Sequence, residues 1–199
     1  MSAARSVPPL KAEGCDCAAL ARAAARRWLA GRPLIVHCLG TDPGPAGECC
    51  ELAVLDTDGL PVVDTLIQPR RSIGPVATGA HGITDTHVAN APTLAEVLAR
   101  SGAAMVGRPL LGYDLPRHLH CLALGSRAWG LTLPWSPARR CLLRLYAGYR
   151  GERGPAGRGF CRHALPEAAR QCGIAVPTDV HRARAAAELA LELLLHIAA

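Results

Sequence analysis

The sequence predicts an α/β fold, a mixed sheet carrying helices on its faces, and three observations point there. Two β-rich runs flank Asp58-Gly59 in "ELAVLDTDGLPVVDTLIQP" (51–69), the pattern of a hairpin. A short apolar strand, Leu34–Leu39, precedes them and completes an antiparallel meander. A helix, one more strand and several helices then follow, with no internal repeat and no linker long enough to set off a second domain.

Residues 1–14 are Pro-rich and polar and read as a flexible N-terminal arm ahead of a single domain over 15–199. "CAALARAAARRWLA" (17–30) is made of strong helix formers, and Gly31 and Pro33 end it. Pro69 stops the second hairpin run, and a loop containing "ATGAHGITDTHV" (77–88) follows. "APTLAEVLARSG" (91–102) opens a helix with a capping box, Thr93 as N-cap and Glu96 three residues on. "AMVGRPLLGY" (104–113) supplies a buried strand, Leu115–Leu124 a helix and Pro137–Tyr149 an amphipathic helix. "GYRGERGPAGRGF" (148–160) is a Gly/Arg-rich loop, and helices over His163–Cys172 and Arg182–Ala199 close the order.

Composition narrows the class. The chain has 199 residues, half of them hydrophobic and 19% charged, which suits a folded domain with a substantial core. No apolar run reaches the roughly 18–20 residues that span a bilayer, and the first residues lack the apolar stretch of a secretory signal, so a cytoplasmic location is expected. The net charge is +6 and almost wholly arginine, Lys11 being the only lysine. That balance suits a phosphate-bearing partner without identifying one. The nine cysteines do not fall in zinc-ribbon pairs: Cys15-x-Cys17 and Cys49-Cys50 have the wrong spacing. Cys38, Cys121, Cys141 and Cys172 lie in apolar segments and read as small buried hydrophobes.

The stretch "LIVHCLGTDPG" (34–44) is a strand opening into a turn, a frequent place for chemistry, yet its first acid is Asp42. "CCELAVLDTDGLPVVDTLIQPRRSIGPVATGAHGITDTHVANAPTLAEVL" explains why that matters. It resembles the first half of the DEDDh 3′–5′ exonucleases, the ribonuclease H-like branch that includes the DNA polymerase III proofreading subunit and ribonuclease T. The likeness is carried by Glu48 to Val54, by Pro69, by His81-Gly82-Ile83-Thr84 and by Ala91-Pro92-Thr93-Leu94. "LPEAARQCGI…HRARAAAELA" resembles that family's last segment, so the likeness runs in order from about residue 18 to 199. It implies a ribonuclease H-like mixed five-stranded sheet flanked by helices.

The family hydrolyses phosphodiesters with two Mg or Mn ions, roughly 3.5–4 Å apart. Hard cations of this kind need oxygen ligands, supplied by an Asp-x-Glu on the first strand, an Asp on a middle helix and a C-terminal Asp. A His five residues before the last Asp is the general base. Carried over by position, the Asp-x-Glu falls on His37 and Leu39, the middle Asp on His118 and the last Asp on Ala186, while the base position keeps His181. All four carboxylates are absent, so no cofactor and no metal ligand set is expected. His181 keeps the base position without a metal-bound water to act on.

The resemblance therefore implies a degenerate exonuclease domain, a pseudoenzyme acting as a nucleic-acid-binding or interaction module. The alternative is an active metal-dependent 3′–5′ exonuclease with a rearranged site built on His37, His118 and His181, with Asp42 or Asp114; three imidazoles suffice for a zinc-type centre. His81 reads as shaping its loop. Arg139, Arg140, Arg144, Arg150, Arg153, Arg158 and Arg162 surround the segment that lies near the family's substrate groove, and Arg139, Arg140, Arg144 and Arg158 are the expected phosphate contacts. The expected partners are single-stranded DNA or RNA, or a protein, and no membrane. Phe160 is the only Phe, beside three Trp and three Tyr, which leaves few rings for base stacking.

Overall fold

The structure, a computed structural model, describes residues 16–44, 47–128, 130–133, 138–154 and 159–199. The expected flexible arm, residues 1–14, lies outside them. Helix α1 (Cys17–Ala30) comes first, its N-cap Asp16 accepting from the Ala19 N–H at 3.0 Å. Strands β1 (Leu34–Gly40), β2 (Cys49–Leu55) and β3 (Pro61–Leu66) form the expected antiparallel meander. The β2–β3 turn closes where Asp56 Oδ1 accepts from Asp58 N and Leu60 N, and Gly59 takes φ +81°.

Beyond the hairpin, two short helices replace the expected loop: α2 (Pro75–His81) and α3 (Asp85–Val88). Each is too short to show an apolar period, and Thr and Gly in the segment hide them. Helix α4 (Leu94–Met105) begins at the expected capping box, with Thr93 N donating to Glu96 Oε2 at 2.7 Å and Glu96 N donating to Thr93 Oγ1 at 3.3 Å. It continues through Met105, so the strand expected over 104–113 shrinks to β4 (Leu110–Gly112). Helix α5 (Leu115–Ala128) follows.

The fifth strand is β5 (Arg139–Cys141), and α6 (Leu142–Arg150) starts directly after it. The expected amphipathic helix from Pro137 is thus a strand and a shorter helix; Pro137 itself lies outside the described residues. Helices α7 (Leu165–Gln171) and α8 (Ala183–Ala198) complete the order. The sheet runs β3-β2-β1-β4-β5, with β4 and β5 parallel to β1. This is the expected mixed five-stranded sheet flanked by helices.

Strict alternation along β1 and β2 sends side chains to two separate cores. Ile35, Ala53 and Leu55 face α1, α6 and α8, where Leu189, Leu193, Leu194 and Ile197 are buried. Val36, Cys38, Leu52 and Val54 face α4 and α5, against Leu94, Val97, Met105 and Leu122. Each such fully buried Leu or Ile contributes about 2 kcal/mol. Cys38 and Cys121 are buried as expected, whereas Cys141 and Cys172 are only half-buried, at the margin of the first core.

Candidate nucleic-acid interface

Strand β4 pairs with β1 only at Leu34 and Ile35, so β1 runs on past it with one edge open. Gly112 permits the close approach of β4 to β1 just before they part: a Cβ there would meet Val36 O at 2.8 Å. Helix α5 turns into the open edge and places His118 against it. The Cys38 N–H donates to His118 Nδ1 at 3.3 Å, taking the place of a ladder bond. That acceptor role puts the imidazole proton on Nε2.

His37 and His118 sit together, their ring centroids 4.3 Å apart at 51°. Both nitrogens left over, His37 Nδ1 and His118 Nε2, are buried without a partner. Burial lowers the His118 pKa to about 4, with the Arg117 guanidinium adding to the effect. Burial also holds His37 well below the usual histidine range, helped by His118 and Arg117. The pair is therefore uncharged at neutral pH.

The other carried-over positions hold no polar atom. Leu39 is half-buried between two hydrophobic clusters, and Ala186 is 2% exposed in the core under α8. His181 is exposed in the turn before α8, and its electrostatic neighbour is His81. The three-imidazole cluster on His37, His118 and His181 is not formed, and no group of three or more potential metal ligands comes together among the described residues. The two candidate acids are engaged elsewhere: Asp42 Oδ1 accepts from Gly44 N at 2.6 Å, and Asp114 lies 3.7 Å from Arg162. His81 shapes its loop as expected, accepting from Ile83 N at 3.1 Å and contacting Gly40 O through Nε2 at 3.3 Å.

Two buried acids stand at this end of the sheet: Glu48, which accepts from Arg70 N at 2.9 Å, and Glu51. Glu51 is the register partner of Leu39 and so shares its face. It is fully committed, accepting from Arg182 Nε at 3.0 Å, from Arg182 Nη2, and from Ala183 N at 2.8 Å at the start of α8. Sequence reading passes over this site because Glu51 sits inside an apolar strand run and Arg182 lies 131 residues away. Two divalent ions of the Mg or Mn kind do not fit these residues. Neutral imidazoles, a Leu and an Ala offer no anionic oxygen, and the nearby carboxylate is neutralised by its guanidinium.

Of the arginine cluster, Arg150 pairs with Glu152, Arg162 with Asp114, and Arg153 stacks on Phe160 at 5.5 Å. Arg140 lies 5.9 Å over the Trp28 ring. Arg139 and Arg144 form no ion pair among the described residues, and they line a cleft of about 420 Å³ with Leu115, Pro116, Leu119 and His120. Arg158 lies outside the described residues.

The mixed five-stranded sheet flanked by helices is similar in fold to solved exonucleases. Three comparisons bear this out. The uncharacterized exonuclease CP81 of Escherichia phage 186 is 27% identical over 175 residues, 85% of this chain and 90% of its own length. The nuclease domain of 3′hExo, a DEDDh family member solved with rAMP, superposes with a TM-score of 0.60 at 17% identity, covering 81% of this chain and 90% of its own. Exonuclease X, solved with 5′ overhanging duplex DNA, gives 0.52 at 21%, covering 80% and 88%. No family model matches the chain. No helix among the described residues is long and apolar enough to cross a membrane.

Proposed function

We propose that this chain is a degenerate exonuclease domain that binds single-stranded nucleic acid without hydrolysing it. The reading is supported by the chemistry of the positions that the resemblance assigns to the metals, His37, Leu39, His118 and Ala186, none of them a carboxylate, with the neighbouring Glu51 tied to Arg182. A two-metal phosphodiesterase loses its water activation and its leaving-group clamp when the ions have no ligands. His181, at the general-base position, then has no acidified water to deprotonate and is idle.

Binding would rest on the guanidinium groups of Arg139, Arg140, Arg144 and Arg158, which can grip phosphates without metal. The cleft that Arg139 and Arg144 line opens beside α5, the helix that carries His118. The DNA held by Exonuclease X supports a nucleic-acid partner for the same fold. Residues 15–199 serve as one domain behind the arm of residues 1–14, and the reading places the protein in the cytoplasm.

The test uses labelled single-stranded DNA and RNA incubated with the purified chain and Mg²⁺, Mn²⁺ or Zn²⁺. The expected result is binding that weakens steeply with salt, and oligonucleotides that keep their length. Metal-dependent shortening that disappears in His181→Ala overturns the reading in favour of an active enzyme. Failure to bind at low salt overturns the nucleic-acid role and leaves protein contact as the function of the module.

A further inference from the structure

On the opposite face of β1 from His37 and Leu39 lies a second cluster that the exonuclease fold does not require. Cys38 on β1, Cys49 on β2 and Cys121 on α5 pack in the same core, and Cys121 Sγ reaches back to the Leu39 carbonyl on β1 at 4.0 Å. All three are buried, at 6%, 2% and 9% exposure. Cys38 Sγ lies 3.5 Å from the His118 carbonyl, one turn of α5 before Cys121, so it packs on the same side of that helix. Gly40 admits the approach, because a Cβ there would stand 3.2 Å from Cys121 Sγ. Cys38 and Cys121, unlike Cys49, also line a cleft of about 270 Å³ with Asp42, Arg117 and His120, which gives a small reagent a way in.

We propose that Cys38 and Cys121 form a modification site for a peroxide, closing to a disulfide that pins α5 to β1. In the first step the Cys121 thiolate sulfur attacks one peroxide oxygen, the O–O bond breaks and a sulfenic acid forms with release of hydroxide. The Cys38 sulfur then attacks the sulfenic sulfur, the S–O bond breaks, and water leaves with the Cys38 proton. Two thiols are oxidised and one peroxide is reduced to water, with an S–S bond of about 2.05 Å as the product. Cys121 suits the attacking role: its pKa is lowered, while those of Cys38 and Cys49, whose thiols donate to the His118 and Glu51 carbonyls, are raised, so these two stay protonated. The inference does not depend on whether the chain binds nucleic acid.

The experiment treats the whole chain with hydrogen peroxide under native conditions, blocks remaining thiols after unfolding, and maps linked peptides by mass spectrometry. The expected product is a Cys38–Cys121 linkage, removed by dithiothreitol, present in Cys49→Ser and absent in Cys121→Ser. Because Cys121→Ser puts a hydroxyl into a buried site and can fail to fold, the unmutated chain decides by itself. A linkage through Cys49, or full blocking of both Cys38 and Cys121 at peroxide levels that already oxidise half-buried Cys17 and Cys161, overturns the proposal.

Discussion

Two polar groups are buried at the same end of the sheet, on neighbouring strands, and they are treated in opposite ways. Glu51 on β2 accepts from Arg182 Nε and Nη2 and from Ala183 N at the start of α8. His37 and His118, one strand over, keep two buried nitrogens with no partner. A buried charge without its partner costs several kcal/mol, so the Glu51 site is tied to the stability of α8. A neutral imidazole nitrogen costs less to strand, so the histidine pair persists although only His118 Nδ1, which accepts from Cys38 N, serves the fold. The difference separates what holds this architecture together from what occupies the positions that the resemblance assigns to a reaction centre.

The comparison breaks most visibly if Glu51 proves dispensable. Glu51→Leu is expected to cost about 3 kcal/mol, from the lost pairing of a half-exposed Arg182 and a lost cap on Ala183 N, measured by urea unfolding. Acid comes next. The folded pKa of His118 is depressed from 6.5 to about 4, so the unfolded chain binds more protons between those values. Stability contributed by this group is fully present above pH 6.5 and is lost as pH falls toward 4, by about 3 kcal/mol. Unfolding midpoints at neutral pH and near pH 4.5 check this, and His118→Asn, which keeps an acceptor for Cys38 N, should flatten the profile.

His37→Leu sharpens the contrast with Glu51→Leu, because the same apolar replacement should stabilise by about 1 kcal/mol once a partnerless nitrogen is removed. The smallest effect on stability belongs to Arg139→Ala and Arg144→Ala, within about 0.5 kcal/mol of the parent. Their signature is instead a weaker hold on single-stranded nucleic acid, and each substitution should reduce the salt slope of binding by about one.

Much of the fold was legible because its signals are local. Asp58-Gly59 names a hairpin, and Thr93 with Glu96 names a helix start, whatever the rest of the chain does. Strand β5 was not legible: Arg139–Cys141 is three residues without alternation, and only parallel pairing with β4 makes it a strand. Helices α2 and α3 were missed for the same want of a period. At the site, His37, Leu39, His118, Ala186 and His181 were placed by resemblance, yet the sequence could not show that His181 stands with His81 rather than with the imidazole pair. Glu51–Arg182 and the approach of Cys38 to Cys121 depend on pairings across long stretches of the chain, where neither spacing nor composition gives a cue.

The claim that the fold outlived its metal site is tested most directly by titrating the purified chain with Mn²⁺ and following free ion by electron paramagnetic resonance. The predicted result is no stoichiometric binding up to millimolar Mn²⁺, in the unmutated chain and in His118→Ala alike. One or two ions bound tightly by the unmutated chain, and released in His118→Ala, would contradict it.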